Sequence, residues 1–261
     1  PVFVDSETTV CQGVAGQVYS INPVAGATDY EWIYSGTGAT IALNPDKTVA
    51  TVDFNSSAIA GDIKVRATNN CGSSNYTAVS VAVSGIPTQP TLIATSPVCE
   101  GVTYNVVASS TVSGGTVTYD WSSSPGLGGD SDGIREGLTT PAIHRYNVVA
   151  SSGGCDSDPA EELEIVVNSN PTVSLGSGAD FCPGSSVDLN LTFSGSPDFN
   201  IEYTNSNPIL AGSTIPAGPF RSLTGGTLSI SNSGTITITK ITDNSGCEGT
   251  DFGTAVEVDT A

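Results

Sequence analysis

Apolar and polar residues alternate with a period of two in short runs along the whole chain, as they do where one face of a strand is buried. Residues 18–21, 63–67, 103–107, 146–150 and 235–239 all show this alternation, and Gly, Pro, Asn or Ser bounds each run. A period of 3.6 is never sustained, and only 58–61 and 159–162 read as single helical turns. The pattern predicts an all-β chain of many short strands.

A longer pattern is superimposed on the short one. Its first copy is Val10-Cys11-Gln12-Gly13, Tyr19, Tyr30-Glu31-Trp32, Asn70-Cys71-Gly72 and an alternating run over 78–83. The second copy is Val98-Cys99-Glu100-Gly101, Tyr104, Tyr119-Asp120-Trp121, Gly154-Cys155 and a run over 163–167. The third is looser: Phe181-Cys182-Pro183-Gly184, an alternating run over 187–193, Ile201-Glu202-Tyr203 where the Trp would stand, and Gly246-Cys247. First cysteines at 11, 99 and 182 and second cysteines at 71, 155 and 247 give a period of about 85 residues. Some seven short strands per copy, with an aromatic in the middle and a Cys near the last hairpin, describe a Greek-key β-sandwich. The expected organisation is three tandem immunoglobulin-like or PKD-like sandwiches over 1–86, 87–170 and 171–261, with Trp32 and Trp121 filling the cores of the first two.

These residues resemble a known family. V-C-x-G, Y-x-I/V, G-A-x-x-Y-x-W and I-x-V-x-A-x-N-x-C-G, complete from Cys11 through Trp32 to Gly72, are similar to the PKD-like and immunoglobulin-like repeats of very large Bacteroidetes surface and secreted proteins. The third copy resembles the related repeat C-P-G-S-S-V-x-L-x-L-x-F-S-G-x-P of gliding-adhesin-like arrays, through Cys182, Val187, Leu189, Phe193 and Pro197. The second departs most, with a longer 109–115 and Ser152-Gly153-Gly154-Cys155 in place of N-x-C-G. The resemblance implies adhesin stalks, spacers of secreted enzymes or filament components, with no single activity. It also implies O-glycosylation at triplets such as Asp259-Thr260-Ala261, which makes Thr260 a candidate acceptor.

Two disulfide schemes are open. With immunoglobulin-like strand order, the first cysteine of a copy lies at one pole of its sandwich and the second at the opposite pole, about 20 Å away, whereas a disulfide needs Cα atoms within about 7 Å. Adjacent poles of successive sandwiches would instead join Cys11 to Cys155 and Cys99 to Cys247, leaving Cys71 and Cys182 to pair between neighbouring units. A shifted first strand would restore Cys11–Cys71, Cys99–Cys155 and Cys182–Cys247. Ser84-Gly85-Ile86-Pro87 and Asn168-Ser169-Asn170-Pro171 form similar junctions, and Val258-Asp259-Thr260-Ala261 followed by another Pro1 would form a third. The expectation is one unit of an array, continued in phase within a longer chain or head to tail between copies.

Composition narrows the function. With 26 acidic residues against 7 Lys and Arg, a net charge of −19 cannot neutralise a row of phosphates, so neither nucleic acid nor an anionic membrane is an expected partner. No apolar run is long enough to span a bilayer. Scarce Lys and six spaced cysteines point to an oxidising, extracellular or cell-surface setting. No nucleophile elbow, P-loop or dinucleotide fingerprint occurs, and the single imidazole, His144, reads as part of a strand, so no enzyme is expected. Asp130 and Asp132 in one Gly-rich loop, and Asp156 and Asp158 in another, are a weak calcium motif without a complete EF-hand. Sequons begin at Asn55, Asn75 and Asn190. The leading expectation is a structural repeat unit of a stalk or filament whose partners are like modules. A binding module for glycan, at an adhesin tip or beside a secreted enzyme, is the alternative.

Overall fold

A computed structural model describes residues 1–123, 133–210, 213–223 and 225–261. Among these residues every regular element is a strand, and 58–61 and 159–162 form no helical turn. The chain divides into two compact units. The first comprises Pro1–Ile93, Val107–Arg135 and Tyr146–Glu162, and the second Ala94–Val106, Glu136–Arg145 and Leu163–Ala261. The division therefore runs through the middle repeat, each unit holding part of it.

The first unit begins with β1 (Phe3–Asp5), β2 (Thr9–Cys11), β3 (Gln17–Ile21), β4 (Asp29–Tyr34), β5 (Ala39–Leu43), β6 (Val49–Phe54), β7 (Gly61–Asn69), β8 (Gly72–Ser73) and β9 (Thr77–Ser84). They form two sheets, β1-β3-β6-β5 and β2-β9-β7-β4, with β8 paired to β7. The period of two on β7 sends Ile63, Val65 and Ala67 inward, where they meet Tyr19, Val52 and Phe54. Trp32 lies in the same core, edge-on to Phe3 at 5.8 Å, and its Nε1 donates to the Lys47 carbonyl at 2.8 Å. The indole thus buries its apolar body with its one donor satisfied. The chain crosses from β4 to β5 through Gly38, at φ +80, where a Cβ would come within 2.7 Å of the Ala58 Cα. Only glycine fits that crossing.

The middle strands are β10 (Thr91–Ile93), β11 (Val98–Cys99), β12 (Asn105–Ser109), β13 (Thr118–Ser123), β14 (Ile134–Glu136), β15 (Ala142–Ser152), β16 (Cys155–Asp156) and β17 (Leu163–Asn168). In the first unit β13 runs antiparallel to β15, setting the buried Trp121 opposite Val148. In the second unit β11 runs parallel to β17, with Val98 beside Val167 and Cys99 beside Asn168.

The second unit continues with β18 (Thr172–Leu175), β19 (Val187–Ser194), β20 (Phe199–Asn205), β21 (Ile215–Phe220), β22 (Gly226–Ile230), β23 (Gly234–Thr242) and β24 (Val256–Val258). Its sheets are β18-β19-β22 and β21-β20-β23-β24. Without a tryptophan, this core is filled by Phe193 stacked on Phe199 at 4.6 Å and on Phe220 at 5.4 Å, with Leu189, Ile201, Ile236 and Ile241 around them. Here the strand after β20 pairs back onto β20, whereas in the first sandwich the strand after β4 joins β6 in the other sheet.

Candidate functional site

The chemistry of this chain concentrates at the cysteine-bearing poles. Cys11 and Cys99 each end a short strand that runs parallel to the end of the last long strand of its repeat, rather than sitting in a turn. Cys11 stands opposite Ser84 and Cys99 opposite Asn168, and the next amides, of Gln12 and Glu100, donate to those residues' carbonyls. Each second cysteine lies just past the penultimate long strand. Cys71 follows β7, Cys155 opens β16, and Cys247 follows β23.

The structure joins Cys11 to Cys155 with Cα atoms 5.7 Å apart, and Cys99 to Cys247 at 5.5 Å. Of the two schemes open in the sequence, these are the pairings between successive repeats. The first bond lies within the first unit and the second within the second. The backbone around each closes tightly. Beside Cys155, Gly153 is approached so closely by Ser84 that a Cβ there would fall 2.2 Å from the Ser84 Oγ. Gly85 abuts Val112 and Ser113 in the same way, and the Thr88 amide donates to the Thr111 carbonyl. Near Cys247, Pro171 packs against Gly195, and Asp243 receives the Ser196 amide on Oδ2 and the Ser245 and Cys247 amides on Oδ1. Both seats are built from the same two loops of the receiving sandwich, and the cysteine in each is only 1% or 0% exposed.

Cys71 and Cys182 are free and exposed. Cys71 borders a groove of about 300 Å³ formed by the Val24–Ala27 loop and the turn after β7. At the far pole of the third sandwich, Phe181 bridges Thr260 in parallel, so Cys182 follows in the register that Cys11 and Cys99 hold.

The other candidates have structural surroundings. His144 is 6% exposed in β15, and its Nε2–H donates to the Thr140 carbonyl at 2.7 Å. Asp156 accepts from the Ser151 hydroxyl, Asp158 is exposed, and Asp130 and Asp132 lie outside the described residues. Among the described residues no group of three or more His, Cys, Asp or Glu side chains converges. Thr260 is exposed beside Phe181, and no described helix is long and apolar enough to cross a membrane. Arg135 escaped the sequence reading. It is 2% exposed while its neighbour Ile134 is 52% exposed, the reverse of what hydropathy suggests for β14. Its Nε and Nη1 have no hydrogen-bond partner among the described residues.

Residues 1–81 match the PKD-like domain family. That match covers the first sandwich and leaves the rest of the chain unassigned. A fragment from the I-band of titin superimposes with a TM-score of 0.56 at 13% identity, over 100% of this chain and 98% of that one. A mutated variant described as a three-Ig structure of titin gives 0.54, with the same identity and coverage. At such identity the likeness speaks for the fold alone. The chain is thus all-β, with three tandem immunoglobulin-like or PKD-like sandwiches. No curated protein matches it in sequence.

Proposed function

We propose that this chain is a structural segment of an extracellular adhesin stalk or head-to-tail filament, with no catalytic role. The observation that carries the reading is the interleaving of the two disulfides. Cys99 lies inside the loop closed by Cys11–Cys155, and Cys155 lies inside the loop closed by Cys99–Cys247. Neighbouring repeats are therefore covalently tied, so no junction depends on a single strand of linker. That continuity lets a spacer carry load through covalent bonds at each junction.

The disulfides, the acidic surface and the scarcity of Lys support an oxidising, extracellular location. The alternative, a glycan-binding tip or accessory, calls for an exposed aromatic platform, and both tryptophans are core residues at 8% and 5% exposure. The Thr260 acceptor and the Bacteroidetes-type repeat setting belong to this same proposal. Negative-stain imaging of native material tests it: rods or periodic fibres are expected. Isolated compact particles together with saturable glycan-array binding would favour the tip instead.

A further inference from the structure

The groove beside Cys71 has two counterparts in the same molecule, and both are occupied. In each, the loop before β13 or β20 and the turn after β15 or β23 receive the first-cysteine pole of the preceding repeat. The linker that leaves the last strand packs on the loop, Gly85 against Val112 and Pro171 against Gly195, and the two cysteines join. We propose that the Cys71 groove is the same kind of seat, that its occupant is the Cys182 pole of a second copy of this chain, and that the contact closes as a Cys71–Cys182 disulfide.

Three features of the two surfaces support this fit. The Val24–Ala27 loop and the turn at Cys71 occupy the places of the 111–115 loop and the turn at Cys155, yet Cys71 is exposed where Cys155 and Cys247 are buried. The third sandwich offers the matching pole. Phe181 faces Thr260 as Val10 faces Val83 and Val98 faces Val167, which sets Ala261 opposite Cys182 where Ser84 and Asn168 stand opposite their cysteines. In a chain of net charge −19, the groove is lined by Val, Ala, Gly, Thr, Asn and Ser without a carboxylate, so an equally acidic second copy meets no like charge at the seat itself. A contact of this type is head to tail and does not close on itself, so it propagates.

The covalent step is thiol–disulfide exchange with a small-molecule disulfide such as oxidised glutathione. The Cys71 thiolate attacks one glutathione sulfur, breaking that S–S bond and releasing one glutathione thiolate. The Cys182 thiolate of the second copy then attacks the mixed disulfide at the Cys71 sulfur and releases the second. Glutathione disulfide accepts the two electrons, and the two protein protons end on two glutathione thiols.

The proposal deepens the stalk reading and can fail without it, because a stalk continued only within one longer chain would leave this groove to another module. The test uses Cys71→Ser and Cys182→Ser in the full chain under a glutathione redox buffer, read by non-reducing electrophoresis and peptide mapping. Wild type should give a ladder of oligomers joined through Cys71–Cys182. Each variant alone should stay monomeric, and an equimolar mixture should stop at a dimer. Ala25→Trp, which fills the groove but keeps both thiols, should abolish the ladder, and an unchanged melting temperature would show that it folds. Dimers of either single variant alone, a ladder that survives Ala25→Trp, or a mixture that stays monomeric would overturn the proposal.

Discussion

Two turns of the same design, one covered and one bare, show what a junction does to a pole. At the covered end, Cys247 is 0% exposed and Asp243, itself 7% exposed, gathers amides from its own turn and from Ser196. At the bare end, Asn69 receives the Cys71 amide at 2.8 Å and donates to the Gly26 carbonyl at 3.0 Å, yet both Asn69 and Cys71 remain exposed. The local hydrogen bonding is similar, so each turn is shaped by its own sequence. Burial of the cysteine is added by the neighbour that sits on it, and a buried polar group depends on its partners far more than an exposed one does.

The largest expected effect follows from covalent topology. Because the two disulfides interleave, a fully unfolded chain pulled by its ends bears load through roughly 80 residues, or about 280 Å, against about 900 Å when both are reduced. Force–extension curves with and without reductant should show this roughly threefold gain. Equal extensions would mean that the covered poles are not covalently closed.

Next comes the equilibrium contribution. Closing a loop of 144 residues stabilises by up to about 5 kcal/mol in the chain-entropy account. Cys11→Ser with Cys155→Ser should lose a large part of that in denaturant titration. Cys71→Ser, at the bare pole, should stay within about 0.5 kcal/mol of wild type. A comparable loss at Cys71 would erase the distinction between the poles.

A smaller contrast separates the two turn carboxamide and carboxylate groups. Asp243→Ala leaves several amides unmet in a buried turn and should cost about 2–4 kcal/mol, whereas Asn69→Ala should cost about 1 kcal/mol or less. Urea midpoints of the oxidised proteins decide this, and similar costs would show that the seat adds nothing to the turn.

The smallest effect is electrostatic and belongs to the sandwich with the bare pole. The Tyr76 hydroxyl and the Arg66 guanidinium hold the Glu31 carboxyl below the usual carboxylate range, and Lys47 does the same for Asp29. A carboxyl whose folded pKa is depressed contributes stability that is present above its unfolded value and is lost as pH falls through its folded value, here on the acid side of the ordinary carboxylate range. These groups are exposed, so salt weakens the effect. Glu31→Gln should narrow the difference in melting temperature between pH 7 and pH 3, and an unchanged difference would remove the pair from the acid response.

Much of this architecture is legible along the chain, and the illegible parts share a cause. Ile63, Val65 and Ala67, or Tyr146, Val148 and Ala150, announce buried strands because side chains alternate across a sheet whatever its neighbours are. Trp32 and Trp121 reveal themselves as core by falling in the same register of such strands. The placement of β5 beside β6, but β21 beside β20, leaves no such mark, since an edge strand of either sheet carries the same alternation. Arg135 in and Ile134 out could not be read from a strand of three residues, where two phases of the pattern differ by a single position.

By itself, then, the sequence determined a three-fold repeat of β-sandwiches and a cysteine at each pole, because periodicity and spacing are local properties of the chain. Which cysteine meets which was decided only by the tertiary structure. A disulfide forms where Cα atoms come within about 7 Å, and that proximity arises from how one sandwich pole is received by the next, across more than a hundred residues of chain.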